Sequence, residues 1–184
     1  MSHMAVQPRK LTYDEYVLTP DDGRRHELID GEEYVTPWPN TRHQEVVGLL
    51  YHRLYQHLEK HGGGRVFIAP YDVVLSDFDV VEPDLIFVSD AHTKIITEAN
   101  IRGVPTLLVE VVSDSRMDRR VKRDLYARHG IPEYWVVDPA ADWVEVYRLE
   151  AGGYGKPEIR EPGETLTTEL IPGLALDLAD LLRR

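Results

Sequence analysis

The stretch "LLVEVVSDSRMDRRVKRDLYARHGIPEYWVVDP", residues 107–139, changes its periodicity twice. "TLLVEVV" (106–112) is an aliphatic run of strand length. Beyond it, Met117, Val121 and Leu125 recur at helical spacing, and Ser115 with Asp118 forms a capping pattern at the start. Gly130 and Pro132 end that helix, and "EYWVVD" (133–138) is again a strand. Strand, helix and strand in this order predict an α/β or α+β architecture built on a mixed sheet.

One residue in the stretch is out of place. Glu110 sits among five aliphatic residues, and a buried carboxylate is costly unless a cation, a proton or hydrogen bonds compensate it. The same anomaly occurs upstream in "VEPDLIFV" (81–88), where Asp84 opens an apolar run. Taken singly, each acid has a structural reading: Asp84 caps a turn after Pro83, and Glu110 pairs with an arginine. Pairing strand 84–88 antiparallel to 106–112 brings the two carboxylates together, and that conjunction points to a shared cation. Carboxylate and carbonyl oxygens suit magnesium or manganese. On the helix, Lys122, Tyr126 and His129 form a polar stripe beside the apolar one. A helix folding back across the sheet directs Lys122 toward Glu110.

Around this centre the chain punctuates itself clearly. "LTYDEYVL" carries a capping box, Thr12 and Glu15, for a short helix. "RHELIDGEEYV" is a hairpin about Asp30-Gly31. A long helix starts at Thr41, with Gln44 completing a capping box, and shows Val47, Leu50, Leu54 and Leu58 on one face until Gly62–Gly64 stop it. Strands are predicted at 65–69, 71–76 and 84–88, loop with a helical turn or two at 89–104, and "WVEVYRL" as hairpin partner of 133–138. A strand near 165–168 and a C-terminal helix close the chain. Trp135, Trp143 and Tyr147 are expected to pack that hairpin, and Asp138 to start its turn.

With 184 residues, 42% hydrophobic and 29% charged, the chain has the size and composition of one globular domain, predicted over 5–184. The opening "MSHM" (1–4) reads as a cloning remnant ahead of a native start at Met4, so His3 is set aside. No cysteine is present, which excludes disulfides and thiolate metal sites. No apolar run is long enough to span a bilayer, and cytoplasmic localisation is the default. The net charge of −11 argues against a protein that coats nucleic acid by bulk charge, since phosphates demand Lys and Arg. Arg116, Arg119, Arg120, Lys122 and Arg123 nonetheless cluster, either as a solvated helix face or as a local basic site. His57 and His61 are four apart on the long helix, yet "HLEKH" lacks the zinc-protease arrangement.

Pro83-Asp84 followed by Glu110 on an apolar strand resembles the PD-(D/E)XK restriction-endonuclease-like superfamily. The string 107–139, together with "HELIDGEEYV" and the His43 region, is similar to the bacterial Uma family of restriction endonucleases, catalogued earlier as a domain of unknown function. The resemblance spans most of residues 10–178. It implies a restriction-endonuclease-like core of a central mixed sheet flanked by helices, with an N-terminal hairpin and a C-terminal β extension. It further implies Asp84 and Glu110 as metal ligands with the Val111 carbonyl as a third, and Glu27 of "ELIDG" as a further contributor. The superfamily's strand lysine is absent, since position 112 is Val; Lys122 on the helix takes its place. The activity implied is Mg2+- or Mn2+-dependent hydrolysis of DNA phosphodiesters, with Asp84, Glu110, Lys122 and Glu27 as the catalytic set; duplex DNA is the expected substrate, and a homodimer is expected from cutting a duplex symmetrically. Arg119, Arg120 and Arg123 are candidates to receive the DNA backbone. A second expectation, from another class, is an inactive nuclease-fold module that binds a protein or nucleic-acid partner through its acidic surface.

Overall fold

A computed structural model describes residues 9–20, 22–36, 38–112 and 116–183, with the backbone alone for 116–118. In chain order the elements are α1 (Tyr13–Tyr16), the hairpin β1 (Arg25–Ile29) and β2 (Glu32–Thr36), and the long helix α2 (Thr41–His61). Strands β3 (Gly64–Ile68), β4 (Val73–Ser76), β5 (Asp79–Val81) and β6 (Leu85–Ser89) follow, then a 3-10 helix (Asp90–Ile95) and the short β7 (Ile101–Arg102). Next come β8 (Leu107–Val111), α3 (Arg116–His129), β9 (Glu133–Asp138) and β10 (Trp143–Glu150). The end of the chain contributes β11 (Gly153–Tyr154), β12 (Glu158–Arg160), β13 (Thr165–Leu166), β14 (Leu176–Asp177) and α4 (Leu178–Leu182).

These strands form two mixed sheets and one small ribbon. The larger has seven strands in the order β11-β10-β9-β8-β6-β3, with β12 also on β10. Within it β8 and β9 run parallel, joined by α3, while β6 runs antiparallel to β8. The second sheet has the order β2-β1-β5-β4-β7. The N-terminal hairpin therefore belongs to this second sheet. Its tip is a two-residue turn in which Asp30 (φ 53) and Gly31 (φ 77) both take positive φ, the primed-turn geometry that Asp-Gly favours. Strand β5 escaped the sequence reading because three residues are too short to show a period.

The central sheet is covered on both sides. Period-2 alternation sends Leu85, Phe87, Leu107 and Val109 to one face, where they meet Leu50, Leu54 and Leu58 of α2 and Leu178 and Leu181 of α4. Ile86, Val88, Leu108 and Val136 face the other way, onto Leu125 and Tyr126 of α3. Each fully buried Leu or Ile contributes about 1.5–3 kcal/mol relative to exposure, so the two faces together fix the sheet between the helices.

Local signals held in part. The Thr12–Glu15 capping box is present. The predicted Thr41–Gln44 box is not: the N-cap of α2 is Asn40, whose side chain accepts from the His43 N–H at 2.9 Å. An Asx side chain one position earlier reaches the first free N–H groups, which leaves Thr41 as the first helical residue. Gly62, with φ 69, ends α2. The Ser115–Asp118 cap and the Met117 side chain lie outside the described residues; Val121 is half-buried and Leu125 buried against the sheet. Trp135 is fully buried in the core with its Nε1–H on Glu133, and Asp138 starts its turn by accepting from Ala140 and Ala141. No described helix is long and apolar enough to cross a membrane.

Candidate active site

The register between β6 and β8 pairs Leu85 with Val109. One step beyond, Asp84 stands across from Glu110, and alternation turns Glu110 toward α3. Val111 donates its N–H to Asp84 Oδ2 at 2.8 Å, which stitches the start of one strand to the end of the other. Within a strand a residue's N–H and C=O point the same way, so the Val111 carbonyl lies on the Asp84 side as well.

Asp84 is buried and well supplied with donors. Its Oδ2 also accepts from His43 Nε2 at 3.1 Å, and Oδ1 accepts from Arg25 Nη1 at 3.1 Å. Burial alone would raise its pKa; His43, Arg25 and the Val111 N–H outweigh burial and hold the carboxyl below its usual range. Arg25 also pairs with Glu82 Oε2 at 3.1 Å and donates to the Glu82 carbonyl. The sequence reading missed Arg25. Its one signal was position, since Arg25 and Glu27 are i and i+2 on one strand and so share a face.

Glu110 occupies a harsher environment. Its Oε1 accepts from Lys122 Nζ and from the Tyr126 hydroxyl, each at 2.9 Å. Burial pushes its pKa up to about 7; Lys122 and Arg25 oppose this, while the charges of Asp84 and Glu27 reinforce it. Lys122 divides its ammonium between Glu110 and Glu27 Oε1, the latter at 2.8 Å, and Glu27 also accepts the Glu82 N–H at 2.9 Å. Burial would lower the lysine's pKa, but the two carboxylates raise it, so Lys122 is a cation at any ordinary pH. Lys122 and Tyr126, four apart on α3, reach one carboxylate oxygen; their stripe continues to His129, which bonds to Asp79 Oδ2 at 2.9 Å.

The structure thus gathers Asp84, Glu110, Lys122, Glu27 and the Val111 backbone at one end of the central sheet, with Arg25, His43 and Tyr126 added. The arginine cluster is not gathered there as a unit. Arg119 is tied to Asp138 and to Glu145, the latter at 3.5 Å, on the β9–β10 hairpin. Arg123 pairs with Asp124 at 2.7 Å and Arg120 lies 3.9 Å from the same carboxylate. His57 and His61 stack at 4.6 Å, with His57 Nε2 on the Pro172 carbonyl. Among the described residues, no group of three or more His, Cys, Asp and Glu side chains stands ready to hold a metal ion.

An open cleft of about 460 Å³ leads to Asp84 and Glu82, and is lined also by Arg25, His43, Trp38 and Ile68. Asp84 and the half-buried Glu82 pair with Arg25, and the buried Glu27 and Glu110 pair with Lys122. Burial first, and then the neighbouring charges of Asp84 and Glu27, raise the Glu110 pKa against the pull of Lys122.

A mixed sheet flanked by helices, with an acid from each of two neighbouring strands at one end, defines a restriction-endonuclease-like fold. The sequence pattern of the Uma2 family, described as "Putative restriction endonuclease", matches residues 13–179. The chain belongs to that family. Its fold is also similar to a crystal structure described as "a putative nuclease belonging to DUF820" from Anabaena variabilis ATCC 29413. The two share a TM-score of 0.80 and 20% sequence identity, over 94% of this chain and 97% of the other. A search of the curated proteins returns no match.

Restriction-endonuclease-like enzymes generally use divalent metals, and the donor set here fits one. Asp84 Oδ1 has a single partner, so a lone pair remains. Burial, with the charges of Asp84 and Glu27, keeps the Glu110 pKa raised to about 7 despite Lys122, a bias that a bound cation would offset, and the Val111 carbonyl adds a neutral oxygen. Hard oxygens of this kind, completed by water, suit Mg2+ or Mn2+.

Proposed function

We propose that the chain is a divalent-metal-dependent DNA endonuclease, acting as one domain over residues 5–184 in the cytoplasm. The observation that carries this reading is the Lys122 ammonium, bridging Glu27 at 2.8 Å and Glu110 at 2.9 Å beside Asp84. A lysine buried between two acids, on a helix that returns over the strand, is the arrangement that the family resemblance assigns to catalysis in place of a strand lysine.

Asp84, Glu110 and the Val111 carbonyl would hold the cation. When bound, it would acidify a coordinated water and neutralise charge growing on the phosphoryl group. The other steps fall to the chain itself. Lys122 stays protonated and fixed in place, so it orients a water for in-line attack or offsets charge on the pentacovalent phosphorus. Glu27 prevents the lysine from swinging away, and Tyr126 holds the Glu110 carboxyl at a set angle. Arg25 and His43 do the same for Asp84. Purified protein incubated with plasmid and single-stranded DNA, in Mg2+ or Mn2+ against EDTA, tests the proposal. Cleavage in metal alone supports it, and no cleavage in any metal defeats it.

One observation favours a second reading, an inactive binding module. Asp84 is satisfied by three donors without any cation. The same incubation separates the two, since a module shifts DNA or a protein partner without cutting.

A further inference from the structure

The cleft that leads to Asp84 changes character with depth. At its inner end Asp84 and His43 are buried, 3% and 7% exposed. At its mouth Trp38 is 74% and Ile68 38% exposed, flanked by Pro39 and Pro70. Water on an indole that lines a cleft is unfavourable unless something covers it in use. The same mouth carries Arg24, whose side chain is 63% exposed and only loosely paired with Asp22 at 3.7 Å. An aromatic plane and an exposed guanidinium lining one cleft that leads to Asp84 and Glu82 match one ligand chemistry: a planar base attached to a phosphate.

We infer that the cleft receives one unpaired nucleobase of single-stranded DNA, stacked on Trp38, with Arg24 beside its phosphate. The inference rests on the reading of Asp84 and Glu110 as the cleavage site, and it narrows the substrate. A volume of about 460 Å³ is that of a small-ligand pocket and admits a nucleotide, not a double helix. The net charge of −11 and the internal pairing of Arg119 and Arg123 leave little cationic surface for wrapping a duplex. Stacking needs no such surface and tolerates any base. A paired base would first have to leave its helix, at a cost of a few kcal/mol. Unpaired strands are therefore the substrate class that the cleft selects, in contrast to the duplex expected from the sequence.

Trp38 also provides the signal for a test. Trp135 is fully buried and Trp143 half-buried, so a base arriving at the cleft quenches chiefly Trp38. The full chain is titrated at low salt in EDTA with a short oligo-dT strand, the same strand annealed to oligo-dA, and an abasic strand. Oligo-dT should quench the fluorescence, and the annealed and abasic strands should do so far less. Trp38→Ala, which leaves the core intact, should weaken oligo-dT binding by about 5- to 150-fold, the value of one stacked base, while Trp38→Phe should retain most of it. Equal binding by the parent chain and Trp38→Ala would overturn the inference, as would equal quenching by single and annealed strands. A change in sedimentation with Trp38→Ala, without any effect on DNA, would assign the indole to a second copy of the chain and also overturn it. Because EDTA removes cleavage from the measurement, Trp38-dependent binding without cutting in Mg2+ leaves the inference standing and defeats the nuclease reading. Cutting in Mg2+ that is indifferent to Trp38 does the reverse.

Discussion

Lys122 and Glu110 are joined by a 2.9 Å ion pair between α3 and the strand that precedes it, both side chains almost wholly out of water. Removing one partner of a buried pair leaves the other charge uncompensated, at a cost of about 3–5 kcal/mol. Lys122→Met should therefore lose stability of that order in urea denaturation at pH 8, since Glu27 and Glu110 then face each other unpaired. The loss should be smaller at pH 5, where Glu110 takes up a proton. A variant as stable as the parent at pH 8 would show that the bridge is not formed.

Glu110 predicts a pH dependence with a definite sign. Its folded-state pKa is raised from 4.5 to about 7, so between those values the native state holds a proton that the unfolded chain has released. Stability in EDTA should then fall as pH rises through this window, by on the order of 3 kcal/mol. Glu110→Gln should flatten that slope. Mn2+ should reverse it for the parent chain, because cation and proton compete for one carboxylate. Denaturation curves at pH 5, 6, 7 and 8, with and without Mn2+, read all three effects.

Asp84→Asn keeps the volume and removes the charge. Calorimetric titration with Mn2+ should lose its heat of binding, and cleavage should disappear. Arg25 would lose its charge partner at Oδ1 while keeping Glu82, so the fold should persist with a lowered Tm. Identical Mn2+ titrations for variant and parent would remove Asp84 from the metal site.

A further acid lies in the second sheet. Asp79 accepts from the Asp30 N–H, Ser76 and His129; burial pushes its pKa up, but these hydrogen bonds outweigh burial and hold it at about 2 against a usual 3.8. A depressed carboxyl contributes stability that is complete above pH 4 and disappears between pH 4 and 2. Asp79→Asn should cost about 2 kcal/mol at pH 7, and the variant should lose less than the parent on acidification below pH 4. Acid titration of both by circular dichroism measures the difference.

The acids were legible because they broke a pattern. Asp84 and Glu110 interrupt apolar runs whose strands formed nearly where periodicity placed them, and Lys122 stood at a countable distance along a helix. Arg25 and Tyr126 broke no pattern. Arginine at the start of a hairpin strand is unremarkable locally, and its partners Glu82 and Asp84 lie 57 and 59 positions away. Tyr126 could be placed on the polar stripe of α3, but only the return of that helix over β8 shows that its hydroxyl ends on Glu110. The second sheet was hidden for a related reason: β1 meets β5 through a pairing at Leu28 and Val80, a contact that neither strand's own period announces.

Glu27 and Lys122 are separated by 95 positions, which has a consequence during synthesis. At about 5–20 residues per second, the ribosome delivers the lysine roughly 5–20 s after the glutamate. Throughout that interval the nascent hairpin bears an acid whose lysine partner does not yet exist, and an unpaired carboxylate is costly to bury. The cluster of Glu27, Asp84, Glu110 and Lys122 cannot be complete until α3 has emerged, so a growing chain carries its acids before the lysine that joins them.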